Sequence, residues 1–253
     1  MKRVKIFLAA CFAFVFVSCF DTVEEVEIRA DGTGVLAMKT DLSKLVDVIK
    51  GFSTPEDMKK DGMDKPVDTT MFMKSYVDTA SDIPADKKAL FRDGKVHLQM
   101  DIDKGVLKMD MNFPFATAAQ LQDLYANLNS ATGGMEGMFG NLGGKKMDGG
   151  EPKGPGQISS VYDVVVSDGV YSRKLNKARY EEFSKTIKLD ELKEVSTMLG
   201  EMKYTTSVKL PRPVKSFTNT KAIVSSDKNV VRLTVNLLDV FEHPELLELG
   251  ITY

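Results

Sequence analysis

Residues 96–113 alternate apolar and polar side chains with a period of two on both sides of a single turn. Val96, Leu98, Met100 and Ile102 stand against His97, Gln99, Asp101 and Asp103; beyond Lys104-Gly105, Leu107, Met109, Met111 and Phe113 stand against Lys108, Asp110 and Asn112. Successive strand residues point to opposite faces, so this pattern fits an antiparallel hairpin with one buried and one wet face. The pattern recurs less strictly on either side, and each hairpin is followed by a helical stretch. Upstream, Val26, Ile28 and Ala30 alternate with Glu25, Glu27 and Arg29, Asp31-Gly32 supplies turn chemistry, and Val35 to Met38 returns. Asp41 is then expected to cap a helix carrying Leu42, Leu45, Val46 and Ile49 and stopping at Gly51. After the 96–113 hairpin, Thr117 and Gln120 stand in capping-box spacing ahead of Leu121, Leu124, Tyr125 and Leu128. Downstream, strands near 158–166 and 170–175 flank Asp168-Gly169, and a helical stretch from Lys177 to Leu199 breaks near Leu189 and ends at Gly200. A strand from Met202 to Leu210 stops at Pro211 and Pro213, residues 220–225 pair with 231–237, and Pro244 opens a short helix to Leu249. Antiparallel β-hairpins alternating with helices packed on one sheet face define an α+β fold.

Composition changes abruptly between Thr132 and Gln157, where ten of the nineteen glycines lie together with Pro152, Pro155 and paired Lys145 and Lys146. No periodicity survives there, and the stretch is long for a connection within a compact domain. It is expected to be a flexible Gly/Met-rich loop or linker, early to be nicked by proteases. It separates an N-terminal α+β part, 19–131, from a C-terminal one, 158–253, which form either two domains or one.

The first residues are of another kind. Met1-Lys2-Arg3-Val4-Lys5 is a basic leader, Ile6 to Val17 is an uncharged apolar run too short to span a bilayer, and Ser18-Cys19 closes it. Phe16-Val17-Ser18-Cys19 resembles the lipobox of bacterial lipoproteins, with Phe16 where leucine is usual. The resemblance implies that residues 1–18 are a signal peptide, removed, and that the Cys19 thiol is acylated and holds the protein on a membrane. Without the leader, whose charges are Lys2, Arg3 and Lys5, the net charge moves from −2 to −5. An acidic body with no basic cluster is not built to neutralise phosphates, so no nucleic-acid partner is expected. Cys11 lies in the leader, so beyond Cys19 no thiol remains for disulfides, thiolate metal sites or a cysteine nucleophile.

Val26-Glu27-Ile28-Arg29-Ala30-Asp31-Gly32-Thr33-Gly34 following the cysteine resembles the opening of uncharacterised Bacteroidota lipoproteins. Tyr204 to Leu210 with Pro211, Val214 and Asn219 is similar to a strand-proline-turn pattern in that group and to the LppM-like lipoproteins of actinobacteria. Together these matches cover under a fifth of the chain. They imply an envelope protein with no established catalytic role and no site residue beyond Cys19. Inner-membrane retention in many Gram-negative bacteria resembles a rule requiring aspartate after the cysteine; Phe20 stands there and Asp21 comes one place late, so the outer membrane is expected. Asp21, Glu24 and Glu25 form an acidic cluster sparser than the run associated with Bacteroidota surface export, which favours the periplasmic face, with the cell surface as the alternative.

The remaining motifs assign little chemistry. Asp101-Ile102-Asp103-Lys104-Gly105 has the opening of a calcium loop but lacks the downstream glutamate, so the two aspartates read as the wet face of a strand. Met71/Met73 and Met109/Met111 have core periodicity; Met135, Met138 and Met147 lie where thioethers are accessible to Cu(I), a minor alternative. His97 and His243 have no nucleophile motif nearby, and Gly-rich 133–144 lacks the Lys-Ser/Thr ending of a phosphate loop. No catalytic residue, metal ligand or cofactor is assigned. Thr22, Thr69 and Thr79 each follow an aspartate in the pattern that resembles Bacteroidota O-glycosylation sites, and are expected to be accessible acceptors. The leading expectation is a membrane-tethered, non-enzymatic interaction or structural module with an envelope protein partner. The alternative is a carrier for a lipid or other apolar ligand, with 132–157 as lid.

Overall fold

The period-two segments fold as strands, and a computed structural model shows how they pair; it describes residues 20–60, 63–79, 83–128, 155–187 and 189–253. Strands β1 (Phe20–Ile28) and β2 (Gly34–Asp41) form the first hairpin. Gly32 sits at φ +82°, and the Asp31 carboxylate accepts from the Thr33 N–H at 3.0 Å, the side-chain turn chemistry expected of Asp-Gly. Asp41 ends β2 rather than occupying the cap position. Its carboxylate accepts from the Ser43 N–H at 3.0 Å, and α1 (Ser43–Phe52) runs one residue past the expected Gly51 stop. There follow α2 (Pro55–Lys60), β3 (Val67–Phe72), α3 (Met73–Thr79) and α4 (Lys88–Phe91). The strict hairpin is β4 (Lys95–Asp101) with β5 (Val106–Phe115). Its helix, α5, covers 118–128. Thr117 caps the helix as expected, its Oγ1 accepting from the Gln120 N–H at 3.2 Å, while Gln120 Oε1 accepts at 2.6 Å from the N–H of Ala116, one residue before the cap.

A 3-10 turn, Pro155–Val161, leads into β6 (Tyr162–Ser167) and β7 (Val170–Leu175). The expected break in the following helix is present, giving α6 (Lys177–Ser184), capped by Asn176, and α7 (Leu189–Leu199). Then come β8 (Met202–Lys209), β9 (Ser216–Phe217), β10 (Ile223–Val224), β11 (Val230–Asn236) and α8 (Leu237–Glu242). The helix expected from Pro244 is only a 3-10 turn to Leu247, and the chain extends again as β12 (Leu249–Thr252).

Two sheets result: an eight-stranded one in the order β10-β11-β8-β1-β2-β5-β4-β3 and a four-stranded antiparallel one in the order β6-β7-β12-β9. The large sheet is mixed rather than purely antiparallel, because β1 and β8 run parallel. The residues before and after the Gly-rich segment therefore share one sheet. Of that segment, 132–154 lie outside the described residues, as do the leader and Cys19.

The main core fills the space between the inner faces of both sheets. Leu36, Met38 and Phe113 come from the large sheet, Tyr162, Val164 and Ile251 from the small one, and Leu121, Leu124 and Leu128 from α5. A smaller cluster of Val46, Met100, Ile102 and Leu107 lies under α1. Met71, Met73, Met109 and Met111 all pack into the main core, the role their spacing suggests.

Candidate functional site: a buried carboxylate–guanidinium cluster

Alternation in β1 sends Thr22, Glu24, Val26 and Ile28 to the same inner face. Glu24 therefore enters the core, in register with Met38 of β2 and Thr206 of β8. The same parity in β7 turns Tyr171 and Arg173 inward from the small sheet. The two charged side chains meet between the sheets, each with no solvent exposure, and Arg173 Nη1 donates to Glu24 Oε1.

The carboxylate is saturated. Oε1 also accepts from the Tyr125 hydroxyl at 2.6 Å, and Oε2 accepts from Tyr204 at 2.7 Å and from the Ser159 hydroxyl. Four acceptor sites are about what a carboxylate offers. Each bond to a charged group contributes about 1.5–3 kcal/mol, and the set offsets the several kcal/mol that enclosing the ion costs. Arg173 is less completely met. Nη1 donates a second bond to Thr206 Oγ1 at 3.1 Å, and the guanidinium lies 4.2 Å from the Tyr162 ring centre and 5.8 Å from that of Tyr125. Its Nε and Nη2 make no hydrogen bond of good geometry, and the Tyr171 hydroxyl sits beside Tyr125 and Arg173 without a well-aligned one.

Burial sets the acidities. Desolvation pushes the hydroxyls of Tyr125, Tyr162, Tyr171 and Tyr204 well above their ordinary value, and the Glu24 charge adds to the effect. For Arg173 burial acts against the charge, but Glu24 and the tyrosines outweigh it and hold the guanidinium protonated above its usual range. A carboxylate with every lone pair engaged and no access to solvent is not arranged to take a substrate proton, and tyrosines this resistant to ionisation are poor acids at neutral pH. What the arrangement does is join β1, β7, β8, α5 and the 155–161 turn at one point.

The residues picked out from sequence lie elsewhere. Thr22, expected to be accessible, is fully buried beside Thr40 and Tyr204 in the large sheet, because it shares Glu24's parity; Thr69 and Thr79 are exposed. Lys104 occupies the place a cation would take by Asp101: its N–H and its ammonium meet that carboxylate at 3.0 and 2.9 Å and hold the acid below its ordinary range. His97 bonds Asp68 at 2.7 Å on the outer face of the large sheet, and His243 stands by Glu245 near α8. Among the described residues no three His, Cys, Asp or Glu side chains are grouped to hold a metal ion. Cys19 and Met135, Met138 and Met147 lie outside the described residues. Glu24 and Arg173 were missed because Glu24 reads as one of a surface acidic trio with Asp21 and Glu25. The available signal was parity: Glu24 is in phase with Val26 and Ile28, and Arg173 with Tyr171.

No protein family matches the chain, and no curated protein matches it. The folded domain of the Mycobacterium tuberculosis protein LppM, solved by NMR, overlays on 86% of this chain and 82% of its own with 9% sequence identity and a TM-score of 0.32. An overlay at that score carries no functional assignment.

Proposed function

We propose that this protein is a non-enzymatic interaction or structural module of the bacterial envelope, tethered through an acylated Cys19 to the outer membrane and facing the periplasm. The observation that carries the non-enzymatic part is the closed state of the Glu24–Arg173 cluster: a polar group joining five elements has no solvent exposure at either charged side chain. No described helix is long and apolar enough to cross a membrane, and attachment in this reading is through the lipobox cysteine. Exposed apolar side chains at sheet edges, Phe72 on β3 and Ile223 on β10, offer contact to a protein partner. Photo-crosslinking from the exposed position 221, beside Ile223, in intact cells, followed by mild detergent extraction, tests this. One reproducible adduct lost on Ile223→Asp is expected; repeated recovery of the protein alone refutes it.

A second reading, a carrier for an amphiphile, draws on one observation. The Nε and Nη2 of Arg173, which make no well-aligned hydrogen bond, are donors that an anionic head group between the sheets would satisfy. Native mass spectrometry after gentle extraction decides it: a co-purified ligand that is absent from Arg173→Met supports the carrier, and an empty wild-type protein removes it.

A further inference from the structure

Cys19 is one peptide bond from Phe20, and Phe20 is the first residue of β1, the strand hydrogen-bonded between β8 and β2 near the middle of the large sheet. A tethered body ordinarily hangs from a disordered stretch and samples all orientations. Here there is no stretch: consecutive Cα atoms are about 3.8 Å apart, so an acylated Cys19 brings the start of β1 to the head-group level. We infer that the protein stands on the bilayer at one defined end of its large sheet, with the membrane surface as the occupant of that end. The inference rests on the lipoprotein reading above.

Strand directions say which end it is. β1 and β8 are parallel and both leave the membrane; β2, antiparallel to β1, returns to it, β5 leaves and β4 returns. The membrane-facing end therefore comprises the β2–α1 junction at Asp41–Ser43, the β4–β5 turn at 102–105, and the α7–β8 junction, where Gly200 and Glu201 precede Met202, the register partner of Phe20. α1 packs against α7 beside this end, and Lys44 reaches to within 4 Å of where a side chain at Gly200 would begin. Two side chains there face solvent: Met198, in the last turn of α7, is 54% exposed, and the Lys104 side chain, paired with Asp101 at 2.9 Å, is 78% exposed. Apolar and cationic groups of this kind suit the interfacial zone of a bilayer. The opposite end carries the 29–33 turn; below it, Lys209 at the end of β8 is level with Glu27, and Lys95 at the start of β4 is level with Glu25, partway up β1 from Phe20. A nine-residue strand rising about 3.3 Å per residue holds that end roughly 30 Å from the lipid.

The test uses the full-length lipidated protein, extracted from membranes and reconstituted in phosphatidylethanolamine/phosphatidylglycerol vesicles containing nickel-chelating head groups. Once Cys19 is acylated and the leader removed, an introduced cysteine is the sole free thiol, so one nitroxide is placed at a time by Met198→Cys, Lys104→Cys, Lys95→Cys or Lys209→Cys, all at exposed positions. Collisional relaxation by the lipid-borne nickel is expected to be several-fold stronger at 198 and 104 than at 95 and 209. Equal relaxation at all four sites in protein that floats with the vesicles and carries acyl chains by intact mass overturns the orientation while leaving the lipoprotein reading standing. Protein that lacks acyl chains and fails to float overturns both.

Discussion

Taking the carboxylate away from Glu24 leaves the Arg173 guanidinium charged, enclosed and without the group that neutralises it, and strips Tyr125, Tyr204 and Ser159 of their acceptor. Breaking a buried pair from one side costs about 3–5 kcal/mol, and urea unfolding of Glu24→Leu is expected to show a loss of that size. Combining it with Arg173→Met removes the stranded cation, so the double variant should be less destabilised than the two single losses added together. Tyr171→Phe is the contrasting case: its hydroxyl makes no well-aligned hydrogen bond, so the variant should lose no more than about 0.5–1 kcal/mol, whereas Tyr204→Phe loses a bond to a charged acceptor and should cost about 1.5–3 kcal/mol. The same hydroxyls set the alkaline limit. Each of Tyr125, Tyr162, Tyr171 and Tyr204 is raised above the ordinary 10.0 in the folded state. Their contribution is intact below pH 10 and is lost as pH rises further, because the unfolded chain gives up protons that the folded one retains. The slope approaches about 1.4 kcal/mol per pH unit for each tyrosine. Stability measured between pH 9 and 12 should fall steeply above about pH 10, and Tyr171→Phe should flatten the fall.

The first hairpin depends on the absence of a side chain at Gly34, where a Cβ would stand 2.0 Å from the Glu27 carbonyl oxygen and 2.2 Å from the Phe115 ring. The obstruction on one side is backbone across the β1–β2 ladder, so relief requires the strands to part. Gly34→Ala should lose about 3 kcal/mol or more, at the upper end of overpacking effects, and hydrogen exchange should accelerate along β1 and β2. Gly32→Ala, strained only by its φ of +82°, should lose about 1–2 kcal/mol. Elements of this kind were the legible ones: hairpins β1–β2 and β4–β5 and the Thr117/Gln120 cap are written within stretches of twenty residues, where period and turn chemistry act locally. β9 and β12 are two and four residues long and are strands only because distant chain lies beside them, whereas the short β10 pairs with β11 across a local turn, as its sequence suggests. The parallel β1–β8 pairing left no local trace either. The buried cluster was half legible, since parity assigned Glu24 to the inner face while its charge argued for the surface.

At the scale of the whole molecule, the large sheet draws β1 to β5 from before the Gly-rich segment and β8, β10 and β11 from after it. The glycine- and proline-rich composition of 132–157 predicts early cleavage there under limited proteolysis. The nicked protein should nonetheless elute as one species from a sizing column and separate only in denaturant, because the β1–β8 ladder and the Glu24–Arg173 contact cross the cut; fragments that part under native conditions would contradict this. The sequence separation of that contact also bears on biogenesis. Arg173 lies 149 positions after Glu24, and Tyr204 lies 180 after it. A chain that emerges from its N terminus delivers the glutamate long before its arginine, and β1 waits beside β2 with one edge open until β8 has followed. Contacts of such long range close late and slowly, so that edge stays open until most of the chain has emerged.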